Sequence, residues 1–572
     1  VLTLAINEGI NSSVVVSEDG RIRLAVQEER LNRVKNFMGF PHEALAFTLS
    51  YLGLAPGDVD VVALSNLTSP RMTKSSFYAW YDETADRPLR GNAEGERTRS
   101  VARRLRDAVR GDSDPIAAAL AHHGLGDRPV RRTHHHLNHA ASSYYGLRID
   151  PAQPHLLLTL DGGGDDDCSH VYRAEGGRLE LLASTSNSHS LGHLYARITH
   201  LMGMTPHEHE YKLMGLAPYA DPDHVAPLVE LLRGYLDLDP DNPLAFRRLT
   251  AEPTYMQQPR LAYDFRRTRF DNLAGAIQAF TEELLCKWVR EAVRVTGIPR
   301  VLASGGVFMN VKANKLISEL PEVEHFDVFP SCGDESLPFG AAWLAENANG
   351  QPLGTQTLTT YALGPTAGYD LDEARSRYGG EVEMQKLDDP VGACADLLAG
   401  GAIVARCAGR MEFGARALGN RSILADPSSA RVVPVINRMI KHRDFWMPFA
   451  PAMLLERAGD YVIVPSTLPA DEPSPFMMHT FDTTDRRDDL VAGLHPQDGT
   501  ARAQIVSREA APEFHAVIEA FAERTGRAAV LNTSFNLHGY PIVVGACDAI
   551  DVLLRTSLER LIVEDVLITK RS

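Results

Sequence analysis

Residues 131 to 146 read RRTHHHLNHAASSYYG, which places His134, His135, His136 and His139 within six positions. On a helix, His135 and His139 fall one turn apart on one face. Two imidazoles so placed can grip a single metal ion. The small residues Ala140, Ala141, Ser142 and Ser143 follow at once and would let such a helix pack closely. Leu137 and Asn138 stand where a metalloprotease would carry its glutamate base, so hydrolase chemistry of that kind is a poor match.

Two acidic loops can complete a ligand set. LTLDGGGDDD puts Asp161 at the end of a strand, with glycines that allow close approach to the backbone. DVFPSCGDESLPFGAAWLA puts Asp334 after a strand and before a helix. Two histidines and two carboxylates form a mixed nitrogen and oxygen site, which suits Fe(II), Mn(II) or Zn(II) better than Mg(II). Asp165, Asp166 and Asp167 are expected to form a solvated turn. RVLASGGVFMNVKANKLI reads as strand, Ser304-Gly305-Gly306, then helix. Glycines there permit backbone contact with a nucleotide, and amides at a helix start favour phosphate. HEHEYKLMGLAPY holds Glu210, Lys212 and Gly215; the lysine could neutralise phosphate, and His207 and His209 are spaced as on a strand.

These residues need a scaffold, and its pattern repeats. VLTLAIN reads as a buried strand, and Asp19-Gly20 joins two β-rich runs as a hairpin turn. PHEALAFTLSYLG predicts a helix with Pro41 at its start and Gly53 just past its end, and DVDVVALSN returns as a strand. HLLLTLDGGGDDDCSHVYRAEGGRLELLAS repeats strand, turn, strand, turn, strand, with Asp161 near the place of Asn7 in the first copy. Two such units predict a duplicated α/β domain of the actin, Hsp70 and sugar-kinase superfamily, whose members bind ATP between related halves. Eight arginines between Arg87 and Arg110 read as a solvated surface helix, or as an insertion over an acidic ligand. Residues 347 to 370, rich in Gly, Thr and Asn, mark a boundary to a further α/β domain.

Composition bounds the function. At 572 residues the chain is long enough for roughly three or four domain-sized units. Its net charge of −16 disfavours non-specific binding to nucleic acid or anionic membrane. The opening VLTLAINEGI lacks the basic head and apolar core of a signal peptide, and no run of about 18 apolar residues occurs. The six cysteines are widely spaced without a CxxC pair, so a reducing cytoplasm is expected.

In their order along the chain, VQEERLNRVKN, HHHLNHAASSYY, EYKLMGLAPY, SGGVFMNVKAN, GDESLPFGAA, RMEFGARALGNRSILADP, KHRDFWMPFAP and LNTSFNLHGYPIV resemble the O-carbamoyltransferases of nodulation-factor and antibiotic biosynthesis. That family's N-terminal part is similar to the tRNA threonylcarbamoyl transferases, and its C-terminal part to YrdC-type synthases of carbamoyl-adenylates. The resemblance implies a duplicated actin-like domain over residues 1–350 for metal, ATP and carbamoyl transfer, a linker over 351–370, and a YrdC-like α/β domain over 371–572 for carbamoyl phosphate. It implies that carbamoyl phosphate and ATP become carbamoyl-adenylate, and that the carbamoyl group then moves to a hydroxyl of a small secondary metabolite, releasing AMP.

By the same resemblance His135, His139, Asp161 and Asp334 hold the metal, Fe(II) first and Mn or Zn next, with ATP and Mg as co-substrate. His135, His139 and Lys212 are the expected catalytic residues. Gly305, Gly306, Asn310, Lys35 and Gly333 are the expected nucleotide contacts. Carbamoyl phosphate is a small anion whose oxygens match arginine forks, so Arg416, Arg421, Lys441, Arg443 and Arg502 are its candidate partners. Asn532 and Ser534 would meet the carbamoyl amide. The expected partners are carbamoyl phosphate, ATP and a small hydroxyl acceptor, with no nucleic acid and no membrane; a homodimer is compatible with the chain.

The chain departs from the family in two places. The usual first-loop His-Asp is Ile10-Asn11, which removes one candidate base and leaves Glu8, His193 or His209 as substitutes. Ala415 stands where proline is common. Glu28, Glu29, Arg30 and Lys35 survive, with the basic residues expected to face phosphate or acceptor. Three competing readings are a tRNA-modifying enzyme, a metabolite kinase of the actin-like superfamily, and a catalytically silent nucleotide-binding scaffold. The acidic charge opposes the first, the C-terminal motifs have no role in the second, and the complete metal-candidate set argues against the third.

Overall fold

The apolar run LTLAIN forms a strand, Leu2–Asn7, buried along its whole length. It is described here from a computed structural model that covers residues 1–69, 73–85, 115–348, 356–441 and 444–571. The arginines from Arg87 to Arg110, and Arg443, lie outside the described residues. The chain divides into two units. One comprises Val1–Arg21, Asn36–Glu324 and Cys332–Gln356; the other comprises Ile22–Lys35, His325–Ser331 and Thr357–Ser572.

Within the first unit the same arrangement occurs twice. Leu2–Asn7 pairs antiparallel with Ser13–Glu18 on one side and parallel with Val61–Leu64 on the other. His155–Gly164 likewise pairs antiparallel with Asp167–Glu175 and parallel with Arg300–Ser304. Each opening strand thus lies between a hairpin partner, joined by a short turn, and a parallel strand, which needs a long crossover. The turn after Ser13–Glu18 is Asp19-Gly20, and both residues are left-handed, as a type I′ turn requires. The expected helix runs His42–Leu52, with Pro41 before it and Gly53 left-handed at its end.

Polar residues sit where the parallel strands end. Asn7 closes the first opening strand and donates to the backbone oxygens of Ile10 and Asp334. Asp161 stands near the end of the second. The histidine helix His135–Gly146 lies against helix Leu337–Ala348, and both are buried over most of their length. A β-carbon at Gly340 would come 2.0 Å from the Asn138 oxygen, so only glycine admits this approach. The close packing fixes the start of the second helix, and with it Asp334, beside the histidines.

The second unit is built on an eight-stranded sheet. Its order is Val382–Lys386, Val566–Lys570, Arg560–Val563, Val404–Cys407, Arg421–Ala425, Ala529–Ser534, Ala450–Leu454 and Gln504–Val506. Helices Leu371–Tyr378 and Ala546–Arg555 cover one apolar core, and Pro390–Ala399 and Pro512–Thr525 cover the other. Residues 361 to 370, read from sequence as connector, take part in this packing: Tyr361 is buried and donates to the Pro330 oxygen, and Ala367 N–H donates to Gly409. Among the described residues no helix is long and apolar enough to cross a membrane, and all six cysteines are free thiols.

Candidate metal centre

The helix that carries His135 and His139 starts cleanly because His134 caps it, its Nδ1 accepting from the His136 N–H at 3.2 Å. His135 and His139 are buried, and their Nε2 atoms face Asp161 and Asp334. His139 Nε2 lies 3.3 Å from Asp161 Oδ2, and His135 Nε2 lies 3.6 Å from Asp334 Oδ1. One donor atom from each of the four residues falls within 4.8 Å of the others. Ligands around an ion at about 2.1 Å stand roughly 3–3.5 Å apart, so a slight contraction suffices.

The four side chains fit a divalent metal. Neither Nε2 makes a hydrogen bond among the described residues, although both atoms are buried. Buried polar atoms are normally paired, and an unpaired pair aimed at two carboxylates is what a cation site requires. The opposite ring nitrogens are held from behind. Asn66 Oδ1 lies 3.0 Å from His135 Nδ1, and Ser304 Oγ lies 3.3 Å from His139 Nδ1. An amide oxygen only accepts, so neutral His135 keeps its proton on Nδ1 and presents the Nε2 lone pair to the centre.

Charge at the centre is unevenly shared. Burial works against a charged His135, but Asp334 and Asp161 outweigh it and hold the imidazole up at about 8. Burial pushes His139 down to about 4. For Asp161 burial opposes ionisation, yet the two imidazoles hold it well below the usual carboxylate range. Burial and the Asp161 charge raise Asp334 well above that range. The set therefore presents a neutral imidazole at His139, an ionised carboxylate at Asp161, and a His135–Asp334 pair that binding of a cation would deprotonate.

Neighbouring histidines differ in their bonding. His136 has both nitrogens occupied, Nδ1 with Thr159 Oγ1 at 3.0 Å and Nε2 donating to the Asp167 oxygen at 3.1 Å. A second group, His134, Asp167 and His170, also clusters. There the His134 Nδ1 lone pair is already committed to the helix cap, which leaves the proton on Nε2. Asp167 Oδ2 is bonded to His170 Nε2 at 2.8 Å.

The glycines have packing reasons of their own. Gly305 is at φ 105°, and a β-carbon there would meet the Leu160 oxygen at 2.3 Å. The Gly306 N–H donates to Asp161 Oδ2 at 3.3 Å. Gly164 makes room for the His135 ring, which a β-carbon would approach to 2.2 Å. Gly333 lies against the Glu335 carboxylate, and Asn310 caps helix Val311–Ser318 while exchanging hydrogen bonds with Gln278. Lys212 is half-buried on helix Glu210–Leu216. His207 and His209 precede it in a turn, not on the expected strand, and His207 is left-handed.

Of the substitute bases, His193 lies beside the Asp161 turn: its Nε2 would lie 3.4 Å from a β-carbon on Gly163. Burial holds it neutral, down to about 3. His209 Nδ1 accepts from the Thr205 N–H at 3.0 Å, and Glu8 Oε1 accepts from Ser69 Oγ at 3.0 Å.

In the second unit, Arg421 is fully buried, and its guanidinium donates to the backbone oxygens of Val544, Ala408, Gly409, Asn420 and Pro365. All three of its nitrogens are thus engaged by backbone oxygens of the fold, and we leave it out of the carbamoyl phosphate set proposed below. Arg30 is also buried, against Glu29, Gln27 and the Gly414 oxygen. Arg502 donates to the Met477 oxygen at 2.8 Å, and Arg416 is half-buried in its loop. Asn532 Nδ2 donates to the Ala417 oxygen and to Gln504, while its buried Oδ1 has no hydrogen bond among the described residues. Ser534 Oγ donates to Asn536 Oδ1. The Lys441 side chain and Arg443 lie outside the described residues, and Lys35 belongs to segment Ile22–Lys35 of the second unit.

Sequence reasoning missed Asn66, which ends a predicted strand and carries no motif, and Glu412. The Glu412 carboxylate accepts from Leu418, Asn420 and Arg421 N–H groups and shapes the loop between them.

The duplicated hairpin-and-crossover strands define an α/β fold of the actin and sugar-kinase class, joined here to a second α/β sheet. Residues 8–343 match the family model "Carbamoyltransferase N-terminus" and residues 395–570 match "Carbamoyltransferase C-terminus". The chain belongs to the carbamoyltransferase family and is an enzyme of that activity. It is 32% identical to nodulation protein NolNO of Sinorhizobium fredii, covering 98% of this chain and 79% of that one. It is 26% identical to nodulation protein U of Bradyrhizobium diazoefficiens, covering 94% of this chain and 93% of that one. Component A of the Acidaminococcus fermentans (R)-2-hydroxyglutaryl-CoA dehydratase matches at 13% identity and a TM-score of 0.33, covering 61% of this chain and 99% of that one. The fold class rests on the duplicated strand arrangement and not on that last likeness.

Proposed function

We propose that this carbamoyltransferase works in two ATP-dependent half-reactions. In the first, carbamoyl phosphate, water and ATP yield carbamoyl-adenylate, phosphate and pyrophosphate. In the second, a hydroxyl of a secondary metabolite attacks the carbamoyl carbon, its proton leaves, and AMP departs. The C-terminal domain expected from the sequence, residues 371–572, hosts the first step, and the N-terminal domain, residues 1–350, the second. The acceptor is of the nodulation-factor or antibiotic kind.

The observation that carries the transfer site is the pair of buried, unpaired Nε2 atoms aimed at two carboxylates. His135, His139, Asp161 and Asp334 would hold a divalent metal, Fe(II) first, which when bound supplies Lewis-acid stabilisation of the charge that develops on oxygen. Asn66 and Ser304 keep the two imidazoles aimed. Gly305, Gly306, Asn310 and Gly333 are the proposed nucleotide contacts, and Lys212 offsets charge on the departing AMP. In the C-terminal unit, Asn532 Oδ1 accepts from the carbamoyl amide, with Ser534 beside it. Arg416, Lys441, Arg443 and Arg502 bind the phosphate oxygens. His193, beside the Asp161 turn and neutral, is the proposed acceptor of the hydroxyl proton.

The test is to incubate the protein with ATP and follow pyrophosphate. We expect pyrophosphate only when carbamoyl phosphate is present, and without any acceptor. ADP formation independent of carbamoyl phosphate would instead identify a kinase and end this reading.

A further inference from the structure

The turn between His155–Gly164 and Asp167–Glu175 reads from sequence as a solvated acidic loop. Asp165 does not behave that way. Its Oδ2 accepts from the backbone N–H of Leu67 and of His135, each at 2.9 Å. Its Oδ1 accepts from the Thr68 N–H at 3.1 Å and from Thr68 Oγ1 at 3.2 Å. A carboxylate has about four good acceptor directions, and here all are filled. Asp165 is therefore no spare ligand for a cation. It is a fastener that joins three separate segments of chain.

What it fastens bears on the centre. His135 N–H is the first amide of the histidine helix, one of the groups that the helix itself cannot satisfy. A carboxylate at that end also matches the helix dipole. Leu67 follows Asn66, so the bond to Leu67 N–H sets the peptide on which Asn66 rides, and Asn66 Oδ1 holds the His135 ring at 3.0 Å. Asp165 thus reaches His135 by two routes, one through its own main chain and one through the side chain that aims its ring. Asp165 is also four residues beyond Asp161 on the same strand and turn, and Gly164 between them is the residue against which the His135 ring rests. Asp165 and Asp166 both hold left-handed backbone, which non-glycine residues adopt only when their surroundings require it.

We propose that Asp165 is a positioning residue for carbamoyl transfer: by fixing the His135 backbone and the Asn66 loop, it sets where His135 Nε2 points relative to Asp161 and Asp334. The proposal rests on the reading of these four residues as a metal site, and the experiment separates the two. Asp165→Ala, Asp165→Asn and the neighbouring control Asp166→Asn are made in the full chain. Co(II) alone is the probe; its affinity is measured by competition and its visible absorption spectrum is recorded. Pyrophosphate formation without acceptor and thermal unfolding without metal are followed in parallel.

Asp165→Ala should weaken Co(II) binding about 10- to 100-fold, change the Co(II) spectrum and lower transfer in proportion. Asp165→Asn should fall between it and the native protein, because an amide keeps one accepting oxygen. Pyrophosphate formation should stay within about twofold of native, and Asp166→Asn should match native throughout. If Asp165→Ala does not fold, Asp165→Asn supplies the same readouts. Native affinity and spectrum in the folded Asp165 variants overturn this proposal alone. Failure of the native chain to bind Co(II) overturns both it and the metal site on which it rests.

Discussion

The histidine pair of the N-terminal unit and Arg421 of the C-terminal unit are equally buried and lie in motifs of similar density, yet their bonding is opposite. His135 and His139 each have one nitrogen held from behind and the other left without a hydrogen bond. Arg421 spends its guanidinium on five backbone oxygens. Leaving a polar atom unpaired in the interior is unfavourable, so it persists where something else completes it. A buried cation with every nitrogen bonded to backbone is the reverse: it completes the chain around it. The difference separates residues that await a ligand from residues that build the loop.

The largest expected effect comes from breaking the open side of this comparison. His139→Ala should lower carbamoyl transfer by at least about 1000-fold, on the order of 4 kcal/mol, while acceptor-independent pyrophosphate formation stays within a few-fold. Equal loss in both half-reactions would contradict the separation of sites. The closed side predicts a stability effect. Arg421→Ala strips five carbonyls of their donor and should destabilise the fold by about 3–5 kcal/mol in urea unfolding, taking both half-reactions down together. Normal stability with a raised KM for carbamoyl phosphate would show Arg421 to be a ligand after all.

The smallest effect sharpens the electrostatics. His135 is held up to about 8, so below that pH a metal must displace its proton, and Asp334 must also be ionised. Metal affinity should rise with pH up to about 8 and flatten above it, with at least one proton released per ion near neutrality. Calorimetry in buffers of different ionisation enthalpy reads this directly. In the metal-free protein the sign reverses: the raised His135 value stabilises the fold below the ordinary imidazole range, and that contribution is lost as pH rises through about 8. Metal affinity independent of pH would remove the uneven sharing of charge.

Local signals were legible where a few adjacent residues decide the outcome. The Asp19-Gly20 turn, the ends of helix His42–Leu52 and the helix that puts His135 and His139 one turn apart all follow from residue type and short spacing. The partners of Arg421 were not legible because they come from residues 365, 408, 409, 420 and 544, and no local pattern announces them. Asp165 was passed over for the same reason, since an acidic turn looks alike whether water or amides of distant segments fill its oxygens. Glu412 and Asn66 carry no chemical signature beyond a polar side chain near a strand.

The sequence by itself determined which side chains could bind a cation and on which faces of their elements they stand, because helix and strand periods are properties of the backbone. Only the tertiary structure decided that these four meet, that two imidazoles remain unpaired at the meeting point, and that an arginine in an equally suggestive motif is spent on carbonyls. Hydrogen-bond partners at long sequence separation depend on how closely elements pack. Here that closeness turns on single glycines, at 340, 305 and 164, which leave room for a neighbour's backbone or ring.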